Sequence, residues 1–171
     1  MKEQPTAVTF QGAPLTLLGE APQVGDAAPD ATLLDTDLNE VPLSRYAGQV
    51  RILASVPSLD TGVCDAETRR FNEEAGKLAG DVQVLTVSMD LPFAQGRWCG
   101  AAGVERVTTL SDHRDAAFGT AYGVLIKELR LLARAVFVVD RDETIRYKQL
   151  VAEMTDEPDY DEVLAAVRDL V

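Results

Sequence analysis

The sequence is poor in the residues that build stapled, metal-bound or membrane-embedded proteins. It has two cysteines, one histidine and one tryptophan among 171 residues. Two cysteines cannot make a multi-disulfide framework, and with His113 alone they do not complete a zinc site. No apolar run approaches the roughly 18 residues of a membrane span. Residues 1–10 carry one lysine and no apolar stretch, so they do not read as a secretory signal. Basic residues are also short: 16 Lys and Arg stand against 28 Asp and Glu, for a net charge of −12. An acidic surface repels phosphate backbones and anionic lipids, which argues against nucleic acid and membranes as partners. No glycine-rich loop follows a strand-like run, so no nucleotide or other cofactor is expected. The expectation is a cytoplasmic chain with one domain over residues 1–171. In that reducing compartment two thiols are more often reactive than structural.

Apolar residues make up 46% of the chain, enough for a sizeable core. Residues 8–18 alternate around Gln11-Gly12-Ala13-Pro14 and predict a β-hairpin. Residues 31–34 suggest a short strand, and 41–46 a connector with one helical turn. The mostly apolar run 51–56, stopped by Pro57, predicts a buried strand. A helix should follow from Thr61 to Leu78, with Cys64, Phe71, Ala75 and Leu78 near one face and Gly80 closing it. Further strands are predicted at 82–87, 107–110, 135–139 and 144–150. Helices are predicted at 91–102, 114–122 and 159–171, the last with a stripe of Val163, Leu164, Val167 and Leu170. This order predicts an α/β fold, a mixed central sheet with helices on both faces.

Cys64 falls just past a strand end, in the first turn of a predicted helix capped by Thr61. Unpaired N–H groups and the positive end of the helix dipole favour a thiolate there. Asp65 and Glu67 work against it, so a cation from elsewhere in the fold should offset them. Arg69 and Arg70 are turned away from the Cys64 face by helical geometry. Position alone leaves Cys64 as readily a small buried hydrophobe as a nucleophile.

The residues around it say more. Pro57-Ser58-Leu59-Asp60-Thr61-Gly62-Val63-Cys64 has the form Pro-x-x-x-Thr-x-x-Cys and resembles the active-site motif of the peroxiredoxins. The string Asp60-Thr61-Gly62-Val63-Cys64 is similar to that of their thiol peroxidase branch. Asp90-Leu91-Pro92-Phe93-Ala94-Gln95, then Trp98-Cys99, resembles the family's resolving-cysteine segment. Leu132-Ala133-Arg134-Ala135-Val136 resembles its arginine strand, and Glu157-Pro158-Asp159-Tyr160 the start of its last helix. The resemblance implies a thioredoxin-like fold, where the element order alone leaves other α/β sheets open. It implies that Cys64 attacks a hydroperoxide, that Pro57 shields it and that Thr61 hydrogen-bonds the sulfur or the peroxide. Arg134 would supply the offsetting cation. The plain alternatives are a strand-ending proline, a helix cap and a surface arginine. One departure is Lys127-Glu128-Leu129-Arg130, which lacks the glycine the family usually carries before its arginine strand. That leaves Arg130 as a rival to Arg134.

Cys64 and Cys99 lie 35 positions apart, so this is no Cys-x-x-Cys exchange motif. A permanent disulfide would stabilise the fold by roughly 4 kcal/mol on the chain-entropy model, but cytoplasmic redox poise opposes it. The resemblance implies instead that Cys99 resolves a Cys64 sulfenic acid as an intrachain disulfide, recycled by thioredoxin, in a homodimer. Helix ends unwind readily, so local unfolding is expected to bring the sulfurs together. A non-catalytic redox sensor using the same pair, or an inert domain of this fold, are the competing readings. Trp98 is either a redox reporter or a half-buried helix residue, and His113 reads as a loop residue.

Overall fold

The computed structural model describes residues 1–78 and 82–171. The first hairpin forms as the alternation predicts. Its strands β1 (Glu3–Phe10) and β2 (Ala13–Leu18) turn at Gln11 and Gly12, which have φ of 50° and 83°. Positive φ at both central residues gives a turn whose twist matches the strands. Two short strands follow, β3 (Thr32–Leu34) and β4 (Glu40–Pro42), then a 3-10 turn over Leu43–Tyr46. The middle of the chain is β5 (Arg51–Ser55), α1 (Gly62–Ala75), β6 (Gln83–Ser88), α2 (Pro92–Ala102) and β7 (Val107–Ser111). The chain continues through α3 (Ala117–Ala121), β8 (Leu125–Ile126), β9 (Ala135–Val139), β10 (Ile145–Leu150) and α4 (Tyr160–Arg168).

Seven strands form one mixed sheet in the order β10-β9-β5-β6-β7-β3-β4. Strands β5, β6 and β7 run parallel, joined by helical crossovers, and β9 lies antiparallel against β5. Alternation along the strands feeds two faces. Ile52, Ala54, Val136 and Val138 meet Phe71 of α1 and Val163 and Val167 of α4. Leu53 and Phe137 point the other way, toward Phe118, Tyr122, Val8 and Leu17. Helices thus cover both faces, as the element order predicts. The N-terminal hairpin stays out of the main sheet and pairs with β8 instead.

Several boundaries differ from expectation for local reasons. Helix α1 stops at Ala75, where the Gly76 N–H turns back to the carbonyls of Glu73 and Glu74. The expected stop at Gly80 lies outside the described residues. Helix α3 starts at Ala117 rather than Arg114. The buried Asp112 carboxylate accepts the N–H groups of Phe118 (3.0 Å) and Gly119 (2.8 Å), which fixes the first turn there. Strand β8 is two residues long and exists through its pairing with β2, so no periodicity could announce it.

Parallel strands β5 and β6 end side by side. From their carboxyl ends the chain enters α1 through residues 56–61 and α2 through residues 89–91. The crevice outside such strand ends is where α/β sheets gather their chemistry.

Candidate active site

Cys64 is the third residue of α1 and is wholly buried. Thr61 has the extended backbone of an N-cap, and its hydroxyl accepts the Cys64 N–H at 3.3 Å. The same hydroxyl donates to the Ser58 carbonyl at 3.1 Å, so here it holds the turn and makes no hydrogen bond to the sulfur. Farther along the helix, the Thr68 hydroxyl donates to the Cys64 carbonyl at 2.9 Å. Pro57 is buried two residues beyond the end of β5. It lines a cavity of about 190 Å³ together with Phe10, Val63, Met154, Thr61 and Arg134. The wall is mostly apolar, and its one charge is the guanidinium.

That guanidinium reaches the sulfur in the first turn of α1. Arg134 sits just before β9 and is 1% exposed. Its Nη2 donates toward Cys64 Sγ at 3.2 Å and to the Met154 carbonyl at 2.9 Å. Nε reaches the same carbonyl at 3.3 Å, and Nη1 donates to Glu67 Oε2 at 2.6 Å. A planar fork with several donors can satisfy three partners at once, which a lysine ammonium cannot copy in this geometry. Burial works against the charge on Arg134, but Glu67 and the Cys64 sulfur outweigh it and hold the group protonated.

Glu67 is fully buried, and its Oε1 has no hydrogen-bond partner among the described residues. Burial pushes its carboxyl up to about 7, with Arg134 pulling the other way. It lies three residues after Cys64 and therefore on the same buried face. An acid on an apolar stripe is the one trace of this role in the sequence. The sequence alone marks Glu67 as a repulsive neighbour of Cys64 and gives no sign of Met154.

Two polar hubs hold the walls in place. Asp90 accepts from the Ser58 hydroxyl (2.7 Å), the Leu59 N–H (2.9 Å) and the Ser88 hydroxyl (2.7 Å). It thereby ties the loop before Cys64 to the end of β6. Gln95, in the first turns of α2, donates to the same Ser88 hydroxyl at 3.0 Å. On the opposite wall, Glu153 accepts from the Thr155 N–H (2.8 Å), the Gly12 N–H (2.9 Å) and the Thr9 hydroxyl (3.0 Å). The Thr155 and Gly12 N–H groups hold its carboxyl down at about 2. This pins the segment that carries the Met154 carbonyl to the tip of the N-terminal hairpin.

Cys99 is elsewhere. It is half-buried in α2, with Thr109 Oγ1 of β7 at 3.5 Å from its sulfur, and both cysteines are free. Two strands separate β7 from β9, which at sheet spacing is about 14 Å. Cys64, Thr61, Pro57 and Arg134 are thus brought together, and Cys99 is not. Arg69 and Arg70 face away, paired with Asp65 at 2.8 Å and Glu74 at 3.2 Å. Arg130 is exposed at φ 54°, a left-handed conformation that glycine adopts without strain. It is no rival to Arg134. His113 lies in the β7–α3 loop.

The redoxin family model matches residues 23–164. The chain is 57% identical to the thiol peroxidase of Bacillus subtilis over 164 residues, covering 96% of this chain and 98% of that one. It is 56% identical to a thiol peroxidase of Staphylococcus aureus over 165 residues, covering 96% and 99%. A peroxiredoxin-like protein from Aquifex aeolicus superposes with a TM-score of 0.91 at 43% identity, over 97% of this chain and 98% of that one. The chain belongs to the redoxin family, in the thiol peroxidase branch of the peroxiredoxins. Its mixed sheet and flanking helices are the thioredoxin-like fold.

Proposed function

We propose that this chain reduces hydroperoxides through a two-cysteine thiol cycle in which Cys64 is the nucleophile. The observation that carries the reading is the Arg134 contact to Cys64 Sγ, 3.2 Å, at the foot of an apolar cavity. The Cys64 thiolate attacks one peroxide oxygen. The O–O bond breaks, and water or an alcohol leaves with the hydroperoxide proton. The sulfur is left as a sulfenate, which takes a proton from solvent to become the sulfenic acid. Arg134 offsets the sulfur's charge and stabilises the charge that develops on the departing oxygen. Pro57 walls the cavity against bulk water. Thr61 orients the first turn, and its hydroxyl can rotate toward a bound peroxide. Phe10, Val63 and Met154 around the mouth favour an alkyl hydroperoxide over hydrogen peroxide.

Cys99 then attacks the sulfenic sulfur. An S–S bond forms, the S–O bond breaks and water leaves. A dithiol protein, thioredoxin, returns both thiols in the cytoplasm. A homodimer is proposed as the working state, since Leu91 (52%) and Phe93 (69%) are exposed beside one another along a groove near Asp60.

Peroxide turnover with thioredoxin and its reductase tests the cycle. Cys64→Ser should consume no peroxide. Cys99→Ser should still form the sulfenic acid but fail to recycle efficiently with thioredoxin. Wild type stopping after one equivalent would mark a sensor instead, and turnover by Cys64→Ser would end the proposal.

A further inference from the structure

Trp98 precedes Cys99 in α2 and packs against the surroundings of Cys64. Its indole packs on the small buried cluster of Val56, Leu59 and Cys64. Its Nε1–H donates to Asp65 Oδ1 at 2.8 Å. Asp65 also accepts from Arg69 Nε at 2.8 Å, and Arg69 Nη1 reaches across to the Ala102 carbonyl of α2 at 3.3 Å. The Arg69 guanidinium stands 5.8 Å from the centre of the Trp98 ring. Helix α1 therefore grips α2 through the residue after one cysteine and the residue before the other.

Consecutive residues on a helix point about 100° apart. With Trp98 turned toward Cys64, Cys99 must be turned away, and it meets Thr109 on β7 instead. Cys99 cannot approach Cys64 while the indole keeps its seat. A disulfide also needs Cα atoms within about 7 Å. The first turn of α1 around Cys64 or the later turns of α2 around Cys99 must therefore unwind or rotate, and the Trp98–Asp65 bond must break first.

We propose that Trp98 and Asp65 form a latch that sets how fast Cys99 resolves the oxidised Cys64, and thus how the sulfenic acid is partitioned. This rests on the two-cysteine reading above. While the latch is closed, the sulfenic acid stays in the peroxide cavity. A second hydroperoxide can then transfer an oxygen to the sulfur, giving a sulfinic acid and releasing water or alcohol. When the latch opens, Cys99 closes the disulfide with loss of water. Trp98 and Asp65 are positioning residues in this scheme. Neither touches the reacting oxygen.

The test mixes reduced enzyme with graded hydrogen peroxide, without reductant, and counts disulfide and sulfinic acid by intact mass. Trp98→Phe keeps an aromatic ring and removes the N–H donor. It should close the disulfide about three- to tenfold faster than wild type, the range one lost hydrogen bond allows. It should need correspondingly more peroxide to reach half sulfinic acid. Asp65→Asn keeps an acceptor and removes the charge that holds Arg69, so it should shift the same way by a smaller factor. Wild-type tryptophan fluorescence should change with disulfide closure and not with the preceding peroxide step. A wild-type partition in both variants, or fluorescence silent through disulfide closure, overturns the latch and leaves the two-cysteine cycle standing. Absence of any Cys64–Cys99 disulfide in wild type overturns that cycle and the latch with it.

Discussion

The two cysteines sit in opposite kinds of surroundings. Cys64 is buried at a helix start, its N–H capped by Thr61, its carbonyl held by Thr68 and its sulfur faced by Arg134. Cys99 is half-exposed in the body of α2, and one hydroxyl, that of Thr109, lies near its sulfur. The difference suits the two tasks proposed for them. A nucleophile gains from fixed charge and fixed geometry, because neither then has to be organised as the reaction occurs. A resolving thiol gains from being weakly held, because its element has to move. The cost of order is concentrated at one sulfur and withheld from the other.

The sharpest way to break this contrast is to thin the Cys64 side. Arg134→Lys keeps a positive charge but loses the fork that serves Glu67, Met154 and the sulfur together. The rate of the first peroxide equivalent, followed by single-turnover mixing, should fall about 100-fold or more. Cys99 accessibility to a thiol reagent should stay unchanged, since Arg134 does not reach it.

Glu67→Gln asks what the buried acid contributes. Its carboxyl titrates near 7 in the fold against an ordinary value of 4.5, because burial opposes its charge. A raised carboxyl binds its proton more tightly when folded. The stability this gives is complete below 4.5 and is lost as pH rises through about 7. Urea midpoints should show wild type losing ground to Glu67→Gln across that window and running parallel to it above. Parallel curves throughout would mean the Glu67–Arg134 pair stays ionised down to the ordinary carboxylate range.

Asp90→Asn loosens both surroundings at once, because Asp90 ties the loop before Cys64 to the strand that feeds α2. An amide offers one acceptor oxygen where the carboxylate offers two. A loss of about 1–3 kcal/mol in urea unfolding is expected from the stranded donors. The smallest effect belongs to Arg130→Gly, remote from both sulfurs. Relieving its left-handed backbone should leave the first peroxide step untouched and raise stability by up to about 1 kcal/mol in the same assay.

Strong periodicity and short-range chemistry were legible along the chain. The buried run at β5, the cap at Thr61 and the acid-started helix at Asp159 all rest on neighbours within a few residues. Elements made by distant partners were not. Strand β8 is a product of β2, and the start of α3 is a product of Asp112. In the site, Cys64, Thr61 and Pro57 are close in sequence and could be read as one motif. Arg134 needed a resemblance, since nothing local says that an arginine before a buried strand turns inward.

The sequence by itself determined the class of chemistry, because the string from Pro57 to Cys64 and the segment around Cys99 carry a recognisable pattern, where the capped helix start alone leaves Cys64 open. Only the tertiary structure decided which charges meet the sulfur, that Glu67 and Met154 aim the guanidinium, and that an indole packs against the Cys64 cluster. Those contacts join residues as much as 90 positions apart, Cys64 to Met154 through Arg134. Burial and direction at such distances are properties of the packed sheet, and no spacing along the chain encodes them on its own.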